Sequence, residues 1–519
     1  MRTAESLATL VGLKQPDFAR ELTLVKEKAW EAFGLYWEHD WTGEGPVPRQ
    51  ARADWQIKQK NFITDYVDDL YEKATAGLGM MIAKSKNPRF YVFNSLSWDR
   101  SDYSDFLYDG QFPVKVIDVG TNNEIESQLI TIAGRNYLRI WAKDIPSVGY
   151  KVFEVRDGEP ARTKTGVSFA NGILENKFYQ VHISNSGVIT KIIDRRAGDR
   201  QLVKFENGRY VNDLGSTDLN NGILTVENAG PVSLTLRAES NDPIPHVARI
   251  TMYANIPRID IQDSITANFG DVKTWAFSFG LNKPTTRYEE VGAIAIAKNE
   301  TRGGSYSDQN ARYEWQTFNH FANLGEKRYG ITISNRDCSF FQLGESTPDS
   351  LHEESALLKA LAGGQIDSRE LGIHDQNGMS EFSYSFSLTT NRGSFDATSN
   401  MKFSLEHQNP LISSAVTGIN ELYPSESYSF MQISNPNVLL WSLKPSEEGV
   451  ENGLVARFWN IRDKPVNLII KPNVSIQNVW QTSHIETDIQ KLNTGKGALE
   501  IRFGPNQIMT FRINKSVSE

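Results

Sequence analysis

The predicted fold class changes within the stretch KSKNPRFYVFN, residues 84–94. Before it, apolar residues recur every three or four positions, which is the spacing of one face of an α-helix. After it, short runs rich in Val, Ile, Tyr, Phe and Thr are separated by Gly, Asn, Asp and Pro, a pattern typical of packed antiparallel sheets. The sequence therefore predicts an α+β protein that is mainly β, with its helices grouped at the N-terminal end.

Residues 1–86 are predicted to form an N-terminal three-helix bundle. The apolar residues between Asp17 and Glu38 lie at helical spacing, and a third helix is predicted from about Arg49 to Ile82. Between these two helices, the glycines and prolines of residues 43–48 exclude a helix. The bundle is therefore expected to contain a loop at that position.

Three β units are predicted after the bundle. A small β domain covers residues 89–157, a large β domain covers 165–388, and a C-terminal β-sandwich domain covers 400–519. Polar stretches separate them, including TNRGS at residues 390–394. No repeat of fixed period is visible in the sequence, which argues against a propeller or a solenoid.

The composition of the 519 residues argues against several classes of protein. The net charge is −8, whereas a nucleic-acid-binding domain usually carries a basic patch. No apolar run approaches the roughly 20 residues that cross a bilayer, and the N-terminus lacks the pattern of a signal peptide. The one cysteine, Cys338, excludes an internal disulfide and a Cys-based zinc site. We therefore expect no nucleic acid and no membrane as partners and favour a reducing, cytoplasmic location, with the compartment itself left open.

Segments spread over the β region resemble one known family when they are taken together. They are YVFNSLSWDR (91–100), DIPSVGY (144–150), LENKFY (174–179), FANL (321–324), YGITISN (329–335) and MSEFSYSF (379–386). Each alone would occur in many β-rich proteins, but similar segments occur in the same order in glycoside hydrolase family 38, the α-mannosidases. The resemblance implies that residues 1–86 are the family's helical middle domain, and that the large β domain is similar to a galactose-mutarotase-like β-supersandwich.

The resemblance also gives a role to EHDWTG, residues 38–43. The family's helical domain carries a His-Asp pair followed by a nearby glycine, and that histidine is a zinc ligand. Carried over to this chain, His39 would bind zinc and Asp40 would contact sugar hydroxyls. The indole of Trp41 is suited to the apolar face of a sugar ring. The family has His or Phe before the pair and this chain has Glu38, a departure that leaves the ligand position intact.

Without the resemblance, the same stretch has a structural interpretation. It would be the end of a helix whose last turn carries a histidine that interacts with the helix dipole, flanked by core tryptophans. Glu38 and Asp40 are close in sequence, but residues two apart on a helix do not face each other, so we assign neither a catalytic role. If another domain covers the His39 loop, an exposed apolar patch including Trp37 or Trp41 is expected there.

The resemblance implies that the catalytic residues lie outside this chain. In family 38 the nucleophilic aspartate, the general acid and the other zinc ligands lie on an N-terminal α/β barrel, and this sequence begins where that barrel would have ended. A retaining glycosidase needs two carboxyl groups and a catalytic zinc site needs about three protein ligands, which His39 and Asp40 do not supply. We therefore predict no catalytic residue here and no hydrolysis of α-mannosides by this chain alone. The implied partners are zinc, a mannose-containing oligosaccharide, and the barrel in cis or in trans.

Two other functions are compatible with the sequence. One is a non-catalytic carbohydrate-binding or scaffolding β module. The other is a mutarotase-like site, which would use a histidine with a carboxylate partner; His246, His320 and Glu314 are available, but no motif supports them. The remaining histidines are predicted to be surface or hydrogen-bonded residues and not metal ligands; they are His182, His352, His374, His407 and His484. The sugar, its linkage and assembly into a homo-oligomer are left open.

Overall fold

The computed structural model describes residues 1–18, 20–36, 47–161, 165–366, 378–495 and 497–516. The chain divides into two units. The first holds the described residues of Met1–Trp41, Gln50–Arg162 and Asn409–Glu519, and the second holds those of Thr42–Arg49 and Thr163–Gln408. The predicted fold class, α+β and mainly β, is confirmed, because helices precede the first strand and the paired strands are antiparallel.

Helices make up the N-terminal part of the first unit. They are α1 (Arg2–Lys14), a 3-10 turn (Arg20–Leu22), α2 (Thr23–Tyr36) and α3 (Arg49–Met81). Helix α1 is buried from Ala4 to Leu13, whereas α2 buries only Ala29 and Ala32. Helices α1 and α3 approach closely at Gly77, where an added Cβ would lie 3.1 Å from Val11. In the described part of the chain, no helix combines the length and the apolar character needed to cross a membrane.

Two small sheets follow the helices in the first unit. One has the order β2 (Arg100–Leu107), β6 (Arg135–Ile145), β5 (Ser127–Ile132). The other has the order β27 (Ile412–Ala415), β1 (Arg89–Asn94), β7 (Gly149–Asp157), β3 (Val114–Asp118), β4 (Asn123–Ile125), with β28 (Ser427–Ser429) also paired to β7. The two sheets share a core in which the rings of Phe90 and Phe106 stack at 4.2 Å. Strand β27 belongs to the last part of the chain and pairs with β1 from Phe90 opposite Ala415 to Phe93 opposite Ile412.

The C-terminal strands of the first unit form two further sheets. One has the order β29 (Met431–Ile433), β32 (Val466–Pro472), β35 (Leu499–Phe503). The other has the order β30 (Val438–Ser446), β31 (Gly449–Asn460), β36 (Ile508–Lys515), β33 (Ile476–Thr482), β34 (Asp488–Leu492). Leu468 and Phe511 lie in the same core as Leu7 and Val11 of α1. The burial of α1 therefore depends on this C-terminal sandwich.

The second unit consists mainly of two large sheets. The first contains β21 (Gln316–Thr317), β24 (Phe340–Leu343), β25 (Leu357–Gly363), β18 (Lys273–Ser278), β13 (Val211–Asp213), β11 (Ile189–Asp194), β10 (Tyr179–Ile183), β9 (Ile173–Asn176) and β8 (Val167–Ala170), in that order, with β12 (Arg200–Gln201) beside β11. The second contains β14 (Ile223–Ala229), β15 (Ser233–Ser240), β16 (His246–Tyr253), β17 (Ile259–Ile265), β26 (Phe382–Arg392), β23 (Tyr329–Asn335), β22 (Phe321–Gly325), β19 (Thr285–Glu290) and β20 (Ala293–Ile296). Short 3-10 turns lie at Arg195–Ala197 and Glu300–Arg302.

These two large sheets face each other across one core. Phe277 of the first sheet meets Phe386 of the second edge to face, with ring centroids 5.0 Å apart. The buried apolar residues of both sheets belong to a single cluster. This unit is therefore a sandwich of two sheets, which agrees with the predicted β-supersandwich.

A fourth helix, α4 (Ala397–Gln408), ends the second unit. The sequence analysis placed the start of the last β unit here, and the structure differs from it. The helix packs on β22 and β23, where the hydroxyls of Ser404 and Ser334 lie 2.9 Å apart. His407 lies between Ser334 and Ser385, and burial lowers the pKa of its ring to about 3. This histidine is therefore a neutral hydrogen-bonding residue, as the sequence predicted.

Candidate functional site

The segment that the sequence analysis singled out lies between the last residue of α2 and the first residue of α3. It falls outside the described residues, and with it fall the predicted site residues His39, Asp40 and Trp41 and their neighbours Trp37 and Glu38. Among the described residues, no group of three or more His, Cys, Asp and Glu side chains is placed to hold a metal ion. A zinc site would thus need ligands from outside the described ranges.

The side of α2 that leads into this segment carries exposed aromatic side chains. Trp30, Phe33 and Tyr36 follow one another at three-residue spacing, which places them on one side of the helix. We call these three residues the aromatic ridge. They are 38%, 46% and 36% exposed, and the rings of Trp30 and Phe33 meet edge to face at 6.0 Å. An exposed apolar surface of this kind is typical of contact with another domain or partner.

A cavity of about 240 Å³ lies where the three N-terminal helices meet the β30–β31 hairpin. Part of its wall is apolar and is formed by Ala8, Leu22 and Leu70. Glu5 of α1 and Tyr66 of α3 also line it, and they are only 7% and 4% exposed. Among the described residues, neither the Glu5 carboxyl nor the Tyr66 hydroxyl has a hydrogen-bond partner. We call this space the Glu5 cavity.

The two lysines that line the Glu5 cavity are already paired with carboxylates. Lys26 Nζ lies 2.9 Å from Glu447 Oε2, and the Lys444 ammonium is bound by both Glu447 and Glu486. Burial raises the pKa of the Glu5 carboxyl to about 7, and the positive charge of Lys444 only partly opposes this. The Glu5 carboxyl can therefore take up and release a proton near neutral pH.

The residues named for a mutarotase-like site each have a local partner in the structure. Both ring nitrogens of His246 lie within 3.3 Å of backbone carbonyl oxygens. His320 Nδ1 lies 2.7 Å from a carboxylate oxygen of Glu289, and Glu314 forms an ion pair with Arg312. The contact of His320 with Glu289 was not foreseen from the sequence, and the described contacts of His246 are those of a structural histidine.

The C-terminal sandwich has a recognised family. Residues 437–511, which run from β30 to β36, match the family model of the "Glycosyl hydrolases family 38 C-terminal beta sandwich domain". The resemblance to family 38 inferred from the sequence is thereby confirmed. No curated protein sequence gives a significant match to the chain.

Two solved structures resemble nearly the whole chain. An alpha-mannosidase from Enterococcus faecalis V583 matches 98% of this chain with a TM-score of 0.72 at 14% identity, and this chain spans 65% of that protein's length. A glycosyl hydrolase family 38 protein from Enterococcus faecalis matches 98% of this chain with a TM-score of 0.70 at 13% identity, over 68% of its own length. A galactose mutarotase related enzyme from Lactobacillus acidophilus matches 43% of this chain with a TM-score of 0.27 at 15% identity, over 98% of its own length. The first two matches show that this chain shares the fold of those two proteins over nearly its whole length.

The sequence analysis did not identify the Glu5 cavity, although a signal was present. Glu5 is the one charged residue in the ten-residue run AESLATLVGL, residues 4–13. A lone carboxyl in an otherwise uncharged helical run is a candidate for a buried ionisable group. Its second polar partner, Tyr66, comes from α3, and no sequence pattern connects the two residues.

Proposed function

We propose that this chain is the C-terminal portion of an α-mannosidase-like retaining glycoside hydrolase, which hydrolyses terminal α-mannosides of glycans. The observation that carries the proposal is the fold similarity of 98% of the chain to an alpha-mannosidase, together with the family 38 match of residues 437–511. This chain spans 65% of that protein's length. The activity proposed is therefore that of an assembly larger than this chain.

In this proposal an N-terminal α/β barrel, in cis or in trans, supplies the nucleophile and the general acid, because a retaining glycosidase needs two carboxyl groups about the glycosidic bond. His39 would join ligands on the barrel to hold zinc, while Asp40 and Trp41 would contact the sugar. Zinc, when bound there, would orient the ring hydroxyls of the mannoside and stabilise charge on them.

The aromatic ridge supports a covering domain next to this segment. Trp30 and Phe33 are large apolar side chains that the described residues of the chain leave exposed. They precede His39 by nine and six positions on the helix that leads to it. We propose that the barrel packs against the ridge and thereby brings its ligands to His39.

The test is hydrolysis of an aryl α-mannoside by this chain alone, by the barrel alone, and by the two together, each with and without zinc. We expect release of the aryl group only from the combined form with zinc. His39→Ala should abolish it, whereas the matched variant His182→Ala, in β10 of the second unit, should retain it. Activity of this chain alone would overturn the proposal.

The same experiment separates the non-catalytic alternative. If the combined form is inactive but this chain binds a mannose-containing oligosaccharide in calorimetry, the chain is a binding module. Loss of that binding on Asp40→Ala would then assign the sugar contact without catalysis.

A further inference from the structure

The Glu5 cavity contains two polar groups whose hydrogen bonds are not met by the described residues. Glu5 and Tyr66 are each more than nine-tenths buried and line the same space of about 240 Å³. Neither side chain has a hydrogen-bond partner among the described residues, so a ligand in this space would supply bonds that the described protein groups do not.

Charged groups face Glu5 from the elements packed around it. On α1 itself there is the amino group of Met1, on α2 there is Lys26, and on the β30–β31 hairpin there are Lys444 and Glu447. Both lysines are held by Glu447. Neither lysine forms an ion pair with the Glu5 carboxyl, so a cation inside the cavity could pair with this carboxylate.

The remaining wall of the cavity determines what else the ligand must contain. Its deep side is apolar and includes Ala8, Leu22 and Leu70. Its rim on β31 and the turn before it carries Glu448 and Glu451, two further carboxylates. Arg20 also lines the cavity, and its guanidinium lies 2.7 Å from the Asp17 carboxylate. An anionic ligand would be repelled by the carboxylates of the cavity, and a fully polar ligand would leave the apolar wall uncovered. The volume lies below the 300–1,000 Å³ typical of sites for drug-sized ligands, which limits the ligand to a small molecule.

We propose that the Glu5 cavity binds a small organic cation, in which a primary ammonium group is attached to an apolar body of roughly six carbons. The ammonium has three N–H donors. It would donate to the Glu5 carboxylate and to the oxygen of Tyr66, and the apolar body would cover Leu22 and Leu70. Glycoside hydrolysis does not require this site, so the inference stands apart from the proposed mannosidase function.

Binding of such a cation should depend on pH through Glu5. Burial raises the pKa of this carboxyl to about 7, so the group is mostly protonated at pH 6 and mostly ionised at pH 8. The ammonium pairs with the ionised form only, so affinity should increase about tenfold from pH 6 to pH 8 and then level off. The amine itself stays charged over this range, since alkylammonium groups titrate near pH 10.

The test is calorimetric titration of the full 519-residue chain with cyclohexylammonium chloride and, as a neutral ligand of the same shape, with cyclohexanol. We expect saturable binding of the ammonium compound at pH 8, about tenfold weaker binding at pH 6, and binding of the alcohol at least tenfold weaker at pH 8. Equal affinity of the two ligands, or no binding of either, would overturn the proposal.

Two substitutions locate the binding in the cavity. Glu5→Gln should reduce ammonium affinity at least tenfold and remove its pH dependence, whereas Glu27→Gln on the exposed side of α2 should change neither. Tyr66→Phe removes only the phenol oxygen and should weaken binding several-fold, which keeps the test decisive if the Glu5 variant does not fold. If both cavity variants bind the ammonium compound as tightly as the unmodified protein, the ligand binds elsewhere and the proposed site is wrong.

Discussion

The environments of two buried carboxyl groups, Glu154 and Asp263, differ in the number of donors that reach them. Glu154 of β7 accepts hydrogen bonds from Arg89 at 2.8 Å and from Arg156 at 2.7 Å. Burial opposes its ionisation, but these hydrogen bonds outweigh burial and lower its pKa to about 2. Asp263 of β17 accepts one bond, from Asn212 at 3.1 Å, and burial raises its pKa to about 8. At neutral pH the carboxyl group of Glu154 is therefore charged, whereas that of Asp263 is mostly neutral.

At the residue scale, we predict that Asp263→Asn stabilises the protein above pH 8. The folded pKa of Asp263 lies above its unfolded value of 3.8, so the stabilisation from its protonated form is complete below that value and is lost as pH rises through about 8. An asparagine amide can replace the protonated carboxyl opposite Asn212, and we expect a gain of about 2 kcal/mol at pH 9. Urea unfolding at pH 6 and pH 9 measures it. The exposed variant Asp271→Asn should show no such gain, and an unchanged pH dependence in Asp263→Asn would contradict the assignment.

Glu154 gives a residue-scale prediction of opposite sign. Its folded pKa is depressed, so its stabilisation is present above about pH 4.5 and is lost as pH falls through about 2. Glu154→Gln should therefore cost about 2 kcal/mol at pH 7, and the cost should shrink towards pH 2. Denaturant unfolding over this pH range measures it, with the exposed Glu159→Gln as control. A cost that does not change with pH would show that the charge of Glu154 is not what stabilises the fold.

At the scale of elements, helices with similar apolar spacing differ in how they are covered. Helix α1 is buried over ten consecutive residues, Ala4–Leu13, because the C-terminal sandwich and α3 surround it. Helix α2 buries two alanines and leaves the aromatic ridge exposed. Helix α4 had been assigned to the start of a β unit, yet Asp396 accepts a hydrogen bond from the Ser399 amide at 2.9 Å at its beginning, as a helix-capping residue does.

For α2 we predict that the double variant Trp30→Ser, Phe33→Ser weakens association with the barrel without unfolding this chain. The two side chains are exposed, so the unfolding free energy should change by no more than about 0.5 kcal/mol. Loss of a covered aromatic pair should reduce affinity for the barrel at least tenfold, since such residues often dominate an interface. Co-elution with the barrel in size-exclusion chromatography and thermal unfolding of the chain alone measure the two effects. Leu24→Ser, on the opposite side of α2, is the control. An equal loss of affinity for the barrel in both variants would show that the aromatic ridge is not the contact surface.

At the scale of the whole molecule, the first unit is assembled from two distant parts of the chain. Strand β27 completes the sheet of β1. The Tyr423 hydroxyl donates to the Leu10 carbonyl oxygen at 2.7 Å, and Lys515 Nζ donates to the Leu13 carbonyl oxygen at 2.9 Å. The second unit, by contrast, contains both of its large sheets within residues 165–408.

This difference predicts how fragments of the protein behave. Residues 165–408 should fold alone and unfold cooperatively, because both of the sheets that enclose their core are present in that range. Residues 1–161 alone should not fold cooperatively, because α1 would lose the C-terminal sandwich that buries it. Circular dichroism melting of each fragment measures this, and mixing 1–161 with 409–519 should restore a cooperative transition. A cooperative transition of 1–161 alone would contradict the prediction.

Features that depend on local pattern could be predicted from the amino-acid sequence. It placed the third helix from about Arg49 to Ile82, and α3 spans Arg49–Met81. It also predicted the change from helix to strand near residue 89, the all-β character of the chain from residue 165 to residue 388, and the resemblance to family 38, because side-chain periodicity and short motifs depend on neighbouring residues. The roles of His39, Asp40 and Trp41 stay predictions of that resemblance.

Only the tertiary structure decided which distant residues meet. It paired β27 with β1, brought Glu5 of α1 and Tyr66 of α3 to one cavity, and surrounded Glu154 with arginines while leaving Asp263 with a single amide. The charge of a carboxyl depends on its burial and on donors from other elements, neither of which its sequence neighbours encode. For this reason the Glu5 cavity emerged from the packing of three N-terminal helices against a hairpin from the C-terminal part of the chain.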